Sequence, residues 1–240
     1  MLILGLDTAT LSCSVALLRD DTVLAEMTLN IKKTHSERLM PLLDMMLAES
    51  GIEREQIDAI AVAAGPGSFT GLRIGMATAR GLAQGLAIPA VPVSTLEAMA
   101  EAVPAPAALI CPLLDARRGE VYTALYQRED LPPHNLGTLL EPEAVNLNFL
   151  IKKLLQYSLP AVFLGEGLPV CEAGLRKDLP PERLVIAASP LRLCRASLVA
   201  LCGRRLLENN PQASYEELLP FYLRRPEAER MAAKKQGGSA

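Results

Sequence analysis

Tryptophan is absent from this 240-residue chain, and aromatic residues of every kind make up only 4% of it. The core must therefore be built from Leu, Val, Ile, Ala and Met, which a hydrophobic content of 50% supplies. Histidine occurs only twice, at His35 and in the Pro-Pro loop at His134, with no cysteine cluster beside either. A histidine-based metal site is not expected. The five cysteines (Cys13, Cys111, Cys171, Cys194, Cys202) are odd in number, lack Cys-x-x-Cys spacing and sit among apolar neighbours. That suits reduced core thiols and argues against a disulfide framework. Neither sign of charge dominates: the net charge is −3 and no basic stripe runs along the chain, which argues against an autonomous nucleic-acid binder. The doublets Arg117-Arg118 and Arg224-Arg225 read as solvated surface. No stretch approaches the ~18 apolar residues of a membrane helix, and Asp7 interrupts the N-terminal apolar run. Neither a membrane span nor a signal peptide is expected, and a cytoplasmic location is.

Glycine, by contrast, is concentrated. Gly65-Pro66-Gly67-Ser68-Phe69-Thr70-Gly71-Leu72-Arg73-Ile74-Gly75 lies between an apolar run, Ile60–Ala64, and a helical pattern. Such a bend suits an anion or phosphate at a helix N-terminus, and equally a tight strand-to-helix turn. It is not a Walker A loop, because Leu72 and Arg73 follow Gly71 where Lys and Ser/Thr are required.

Around this loop the pattern predicts strands at 2–6, 12–18 and 22–29, an antiparallel meander. A capping box at Thr34-x-x-Glu37 opens a helix whose apolar positions run Leu39, Leu42, Leu43, Met46, Leu47, with Gly51 ending it. A buried strand over 57–64, a helix over 70–86 and a strand over 88–93 follow. A second box, Ser94-x-x-Glu97, opens a helix to about Val103. Pro104-Ala105-Pro106 marks a boundary. Beyond it come strands over 107–114 and 120–127, a helix over 144–157, strands over 161–164 and 184–187, and a helix from Ser189-Pro190 to Glu208. A short turn at Ser214-x-x-Glu217 follows, and the polar tail 227–240 is expected to be disordered. Asp7 precedes Ala16-Leu17 as Asp115 precedes Ala124-Leu125, so both halves begin strand, Asp, turn, strand. Two consecutive lobes of this kind, 1–103 and 104–226, describe an α/β fold of duplicated ribonuclease H-like lobes, the actin-like ATPase superfold. In those enzymes an Asp in the first hairpin of each lobe faces the nucleotide phosphates and metal.

The catalytic candidates are few. Actin-like ATPases often show Asp-x-Gly-Ser/Thr, whereas Ala9 here stands where the glycine would be. Asp7 is thus expected to accept hydrogen bonds from its own turn. Ser68 reads as a helix cap or, less well, a nucleophile without a base. Weak nucleotide contact between the lobes, at Asp7, Gly65, Gly67 and Ser68, is compatible with this; no cofactor is required. The two N-terminal helices carry another signal. Gly71, Gly75 and Ala79 recur every fourth residue, flanked by Leu72 and Met76, and Met45 and Met46 widen the stripe of Leu39 and Leu42. Both faces can pack internally, but an added exposed face for a partner is expected.

The segments Leu6-Asp7-Thr8, Thr34-His35-Ser36-Glu37-Arg38-Leu39, Gly65–Arg73, Asp115-Ala116-Arg117-Arg118-x-Glu120-Val121-Tyr122 and Tyr222-Leu223-Arg224-Arg225-Pro226 together resemble the TsaB (YeaZ) family. The resemblance spans the chain to about Pro226. It implies an actin-like fold and a non-catalytic scaffold role in threonylcarbamoylation of the adenosine beside the anticodon in tRNAs reading ANN codons. It implies pairing with the paralogue TsaD, which performs the transfer, joined by the ATPase TsaE, with tRNA met only through the complex. It also implies homodimers through the same two helices. TsaD-type proteins carry His-x-x-x-His metal ligands where this chain has Thr95 and Met99, which cannot replace two imidazoles. On this reading Gly75→Arg or Met76→Asp abolishes pairing and leaves the fold intact. The competing expectation is an independent actin-like ATPase or kinase.

Overall fold

The computed structural model describes residues 1–31, 34–105, 107–128 and 136–224. Leu2–Asp7 (β1), Cys13–Arg19 (β2) and Thr22–Leu29 (β3) form the expected antiparallel meander. Helix Leu39–Ser50 (α1) leads to strand Ala59–Gly65 (β4), parallel to β1. Helix Phe69–Leu86 (α2) leads to Ala90–Ser94 (β5), parallel to β4. Helix Thr95–Glu101 (α3) follows. The second sheet repeats the plan. Leu109–Asp115 (β6), Glu120–Arg128 (β7) and Leu136–Asn146 (β8) form a meander, and Ala161–Leu164 (β9) and Leu184–Ile186 (β10) extend it in parallel from β6. The sheet orders, β3-β2-β1-β4-β5 and β8-β7-β6-β9-β10, are identical strand for strand. The weak sequence repeat is a true duplication: two ribonuclease H-like lobes of the actin-like superfold.

Burial follows from the layers. Strands β1 and β4 are buried along their whole length, because helices cover both faces of the first sheet. Leu2, Leu4, Leu6, Ile60 and Val62 pack with α1 and α2, whereas Ile3, Ala59, Ala61 and Ala63 pack with helix Ala196–Asn209 (α6). The period-2 alternation of strand side chains decides which residue meets which helix. The C-terminal helix therefore returns to the first lobe, although it lies in the sequence range 104–226. All five cysteines are free and buried.

Five elements depart from expectation. Strand β8 is unannounced because Gly137 and Pro142 interrupt its alternation; as an edge strand it tolerates both. Residues 144–146 close that strand, and Asn146 caps helix Leu147–Leu154 (α4) by accepting from the Phe149 amide. Helix Leu168–Asp178 (α5) is missed because only Leu168, Cys171 and Leu175 of its eleven residues are buried. Thr34 makes no side-chain cap; it precedes a single 3-10 turn, and α1 starts at Leu39. Ser189–Arg192 is likewise a 3-10 turn, and α6 begins only at Ala196. Its first amides are taken by residues distant in sequence: Ala196 donates to Ser14 Oγ and Ser197 to the Glu26 carboxylate.

Candidate functional site: an interlobe cleft and a two-helix face

Each lobe begins with the same local device. Asp7 Oδ1 accepts from the Ala9 amide at 2.9 Å, and Asp115 Oδ1 accepts from the Arg117 amide at 2.7 Å. These are Asx turns, built by a short carboxylate reaching two residues onward. Asp7 also accepts from the Thr10 hydroxyl at 3.1 Å and has no solvent exposure. Burial pushes its carboxyl from 3.8 up to about 7 against these hydrogen bonds, with Glu166 adding to the rise. Its oxygens are engaged by Ala9 and Thr10 of its own turn, as expected, and also by the distant Cys194 thiol.

The glycine loop is occupied by the chain itself. A Cβ at Gly67 would stand 2.2 Å from the Ala9 carbonyl oxygen, which accepts from the Ser68 amide at 2.7 Å. Ser68 Oγ accepts from the Gly71 amide, so this serine is the α2 cap. The bend lets the Asp7 turn nest against the helix start. Of the four residues proposed for phosphate contact, Gly67 and Ser68 line the cleft between the lobes, whereas Asp7 and Gly65 do not.

That cleft has a volume of about 630 Å³. Its walls are the Asp7 turn with His35, the start of α2, the Asp115–Arg118 turn, and a C-terminal strap over 221–224. The strap is held on the first lobe by Arg80, which donates to the carbonyls of Tyr215, Glu216 and Leu218, and by the Phe221 amide on Ala64 O. It reaches the second lobe through Arg224, which donates to Ala116 O and pairs with Glu120. On the cleft's other side the Leu11 amide donates 2.8 Å to Glu166, a bridge between lobes that separates a smaller pocket of about 240 Å³. Sequence reasoning missed this bridge; nothing local marks Glu166 as the partner of a residue in the first hairpin.

Thr95 and Met99 are fully buried in α3. They do not fit the metal that His-x-x-x-His would hold, and among the described residues no three His, Cys, Asp or Glu side chains converge. His134, Arg225 and the tail 227–240 lie outside the described residues. Among those described, no helix is long and apolar enough to cross a membrane.

The two-helix surface is corrected in detail. Leu39, Leu42, Met46, Gly71, Leu72, Gly75, Met76 and Ala79 are all buried within the first lobe; of the nine residues expected at an interface only Met45 is exposed, at 56%. The Gly71-Gly75 stripe admits Thr8. A Cβ would lie 2.0 Å from Thr8 O at Gly71 and 2.4 Å from Thr8 Oγ1 at Gly75, while Thr8 Oγ1 donates to Gly71 O. Gly75→Arg and Met76→Asp would therefore break the lobe, not only a contact. The face these helices do present comprises Met40 and Met45 on α1 and Arg73, Ala77, Gly81 and Gly85 on α2. Ala77, Gly81 and Gly85 repeat the four-residue small spacing, a signal present in the sequence and overlooked beside the inner stripe.

Comparison with known proteins follows the same line. Residues 22–231 match the family model described as "TsaD: tRNA N6-adenosine threonylcarbamoyltransferase". The Bacillus subtilis tRNA threonylcarbamoyladenosine biosynthesis protein TsaB is 36% identical over 229 residues, covering 95% of this chain and 96% of that one. The Escherichia coli protein of the same name is 46% identical over 172 residues, 70% and 72% of the two chains. Among solved structures, YeaZ from Pseudomonas aeruginosa superposes with a TM-score of 0.73 at 29% identity, covering 92% of this chain and 99% of that one.

Proposed function

The chain belongs to the TsaB (YeaZ) family, and from that premise we propose that it is a non-catalytic scaffold subunit in tRNA threonylcarbamoyladenosine biosynthesis. It pairs with a TsaD paralogue that performs the transfer, TsaE joins the pair, and tRNA is met through the assembly in the cytoplasm. The observation that carries the reading is the outer face of α2. A Cβ at Gly81 or Gly85 would meet nothing within 4 Å, so the fold needs neither glycine. Each costs roughly 0.8–1 kcal/mol against alanine in a helix interior. Together with Ala77 and exposed Met45 they leave a surface on which a second backbone can lie close. The same face serves a second copy of the chain, so homodimer and heterodimer compete. The absence of two imidazoles at Thr95 and Met99 supports the non-catalytic assignment.

Light scattering after gel filtration, on the chain alone and mixed with TsaD of the same organism, is the test. A one-to-one complex is expected, forming at the expense of any homodimer. Gly81→Arg and Met45→Asp should abolish it while the melting temperature holds, because both sites are open. Unchanged pairing in both variants would refute this face as the interface. The cleft volume favours a second reading, an actin-like ATPase or kinase with nucleotide between the lobes. Burial of Asp7 and the Leu11–Glu166 bridge oppose it. Tight, magnesium-dependent ATP binding with turnover by the isolated chain, measured by calorimetry and phosphate release, would revive it. Ser68, the nucleophile candidate without a base, serves as the α2 cap on the Gly71 amide.

A further inference from the structure

The lobes are tied to each other in unlike ways beside the cleft and away from it. Away from it, α3 carries one apolar cluster across both lobes: Leu96, Met99 and Val103 pack with Ile110, Leu114 and Tyr126. Beside this cluster, Glu101 has a side chain only 3% exposed and pairs with Arg128 of β7 at 3.0 Å and with Arg205 of α6. Arg128 also donates to Val103 O, where the chain passes from one lobe to the other. Breaking a buried pair of this kind is strongly destabilising. At the cleft the tie is the strap, whose grip is uneven. On the first lobe a Cβ at Gly65 would stand 2.7 Å from Phe221 O, and Gly65 holds φ 124°, so the seat requires glycine. Arg80 clasps three strap carbonyls, the Phe69 and Tyr222 rings stack with centroids 5.2 Å apart, and Arg73 donates to the Tyr222 hydroxyl. These rings and cations are committed to one another and bind the strap to α2. Leu218 belongs to the first lobe's buried core, whereas residues 219–224 lie outside it.

We propose that the segment 215–224 is an interlobe latch: it travels with the first lobe, closes on the second through Arg224, and sets the width of the cleft about a pivot at α3. The first-lobe grip combines a glycine seat, a three-carbonyl clasp and a ring stack, so losing one leaves the others. The second-lobe grip is different. Arg224 donates to Ala116 O at 3.0 Å and pairs with Glu120, whose side chain is 34% exposed. A partly exposed ion pair is worth little by itself and can be released. Ala116 and Glu120 flank the turn that forms the second-lobe wall of the cleft, so releasing Arg224 frees that wall. The Leu11–Glu166 bridge is a second, weaker catch, one hydrogen bond of 2.8 Å at a residue 68% exposed. The pivot side has no such release, because its charges are buried and its apolar cluster is shared. Arg224 is therefore a positioning residue, and the cleft width depends on its side chain.

The test is the distance between two nitroxide labels on opposite walls of the cleft, read by pulsed electron–electron resonance on the full chain. All five native cysteines are buried, so labels go to Thr70→Cys and Arg117→Cys, both exposed. The labelled chain is mixed with excess unlabelled chain, so that only distances within one molecule register. With Arg224 intact a single narrow distance is expected. Arg224→Ala should lengthen and broaden it, by about 2 Å or more, and Arg224→Lys, which keeps a charge for Glu120, should restore it in part. Hydrogen exchange of the Leu11 amide, left as the remaining catch, should quicken about three-fold or more in Arg224→Ala. An unchanged distance in Arg224→Ala overturns the proposal, and so does a broad distribution with Arg224 in place. Faster exchange across both lobes alike would also overturn it, since the strap would then hold the fold and not the cleft. Because the chain is measured alone, failure to pair with TsaD leaves the latch standing, and an unchanged distance leaves the scaffold reading standing.

Discussion

The two lobes share a sheet order strand for strand, yet they spend it differently. In the first, α1, α2 and α6 cover both sheet faces, the Asp7 turn is buried, and the glycines of α2 seat that turn. In the second, β8 is a half-exposed edge, the helices are short, and the equivalent Asp115 turn projects two arginines over the cleft. Duplication conserves topology because the order of strand pairing follows from chain connectivity. It does not conserve burial, which depends on what is packed on each face. The first lobe is the more fully covered half, and the second contributes the arginine-bearing wall of the cleft.

The sharpest way to break this contrast is at helix glycines. Gly75→Arg drives a side chain into Thr8 Oγ1 and should cost about 3 kcal/mol or more, enough to lose the cooperative urea transition. If Gly75→Arg unfolds like wild type, the first lobe is not packed as described. Titration offers the next largest effect. The Asp7 carboxyl is raised in the folded state, from 3.8 to about 7. Between those values the native protein holds a proton that the unfolded chain has released. Asp7 therefore favours folding most below pH 3.8, and that contribution is lost as pH rises to about 7. The loss is on the order of 4 kcal/mol. Urea midpoints from pH 5 to 8 should fall in wild type and flatten in Asp7→Asn. Removing the tie between strap and first lobe is milder. Arg80→Ala frees three carbonyls of 215–218 and should cost about 1 kcal/mol, given its exposure, while speeding proteolysis within 215–224. Smallest is the second lobe's own helix glycine. Gly174→Ala meets only the tip of the Leu147 side chain, which can turn aside, so stability should change by less than about 1 kcal/mol.

Legibility tracked sequence separation. The Asp7 turn, the Ser68 cap and the Gly51 helix stop span one to three residues, and residue type alone announces them. Strand β8 and helix α5 were illegible because Pro142, Gly137 and a sparse apolar stripe weaken the period on which such reading depends. The candidate site was half legible. Its motif residues were in view, but Glu166 and the strap's grip on α2 join partners more than a hundred residues apart.

Helix α2 shows the division plainly. Sequence alone determined that it would be a helix, where it would begin, and that small residues would recur every fourth position on it. Two such stripes exist, Gly71-Gly75-Ala79 and Ala77-Gly81-Gly85, and nothing local ranks one above the other. Tertiary structure decided: Thr8, at the end of β1, fills the first, and the second is left facing outward. Periodicity is a property of the chain, but which face is inside is a property of what the sheet presents to it.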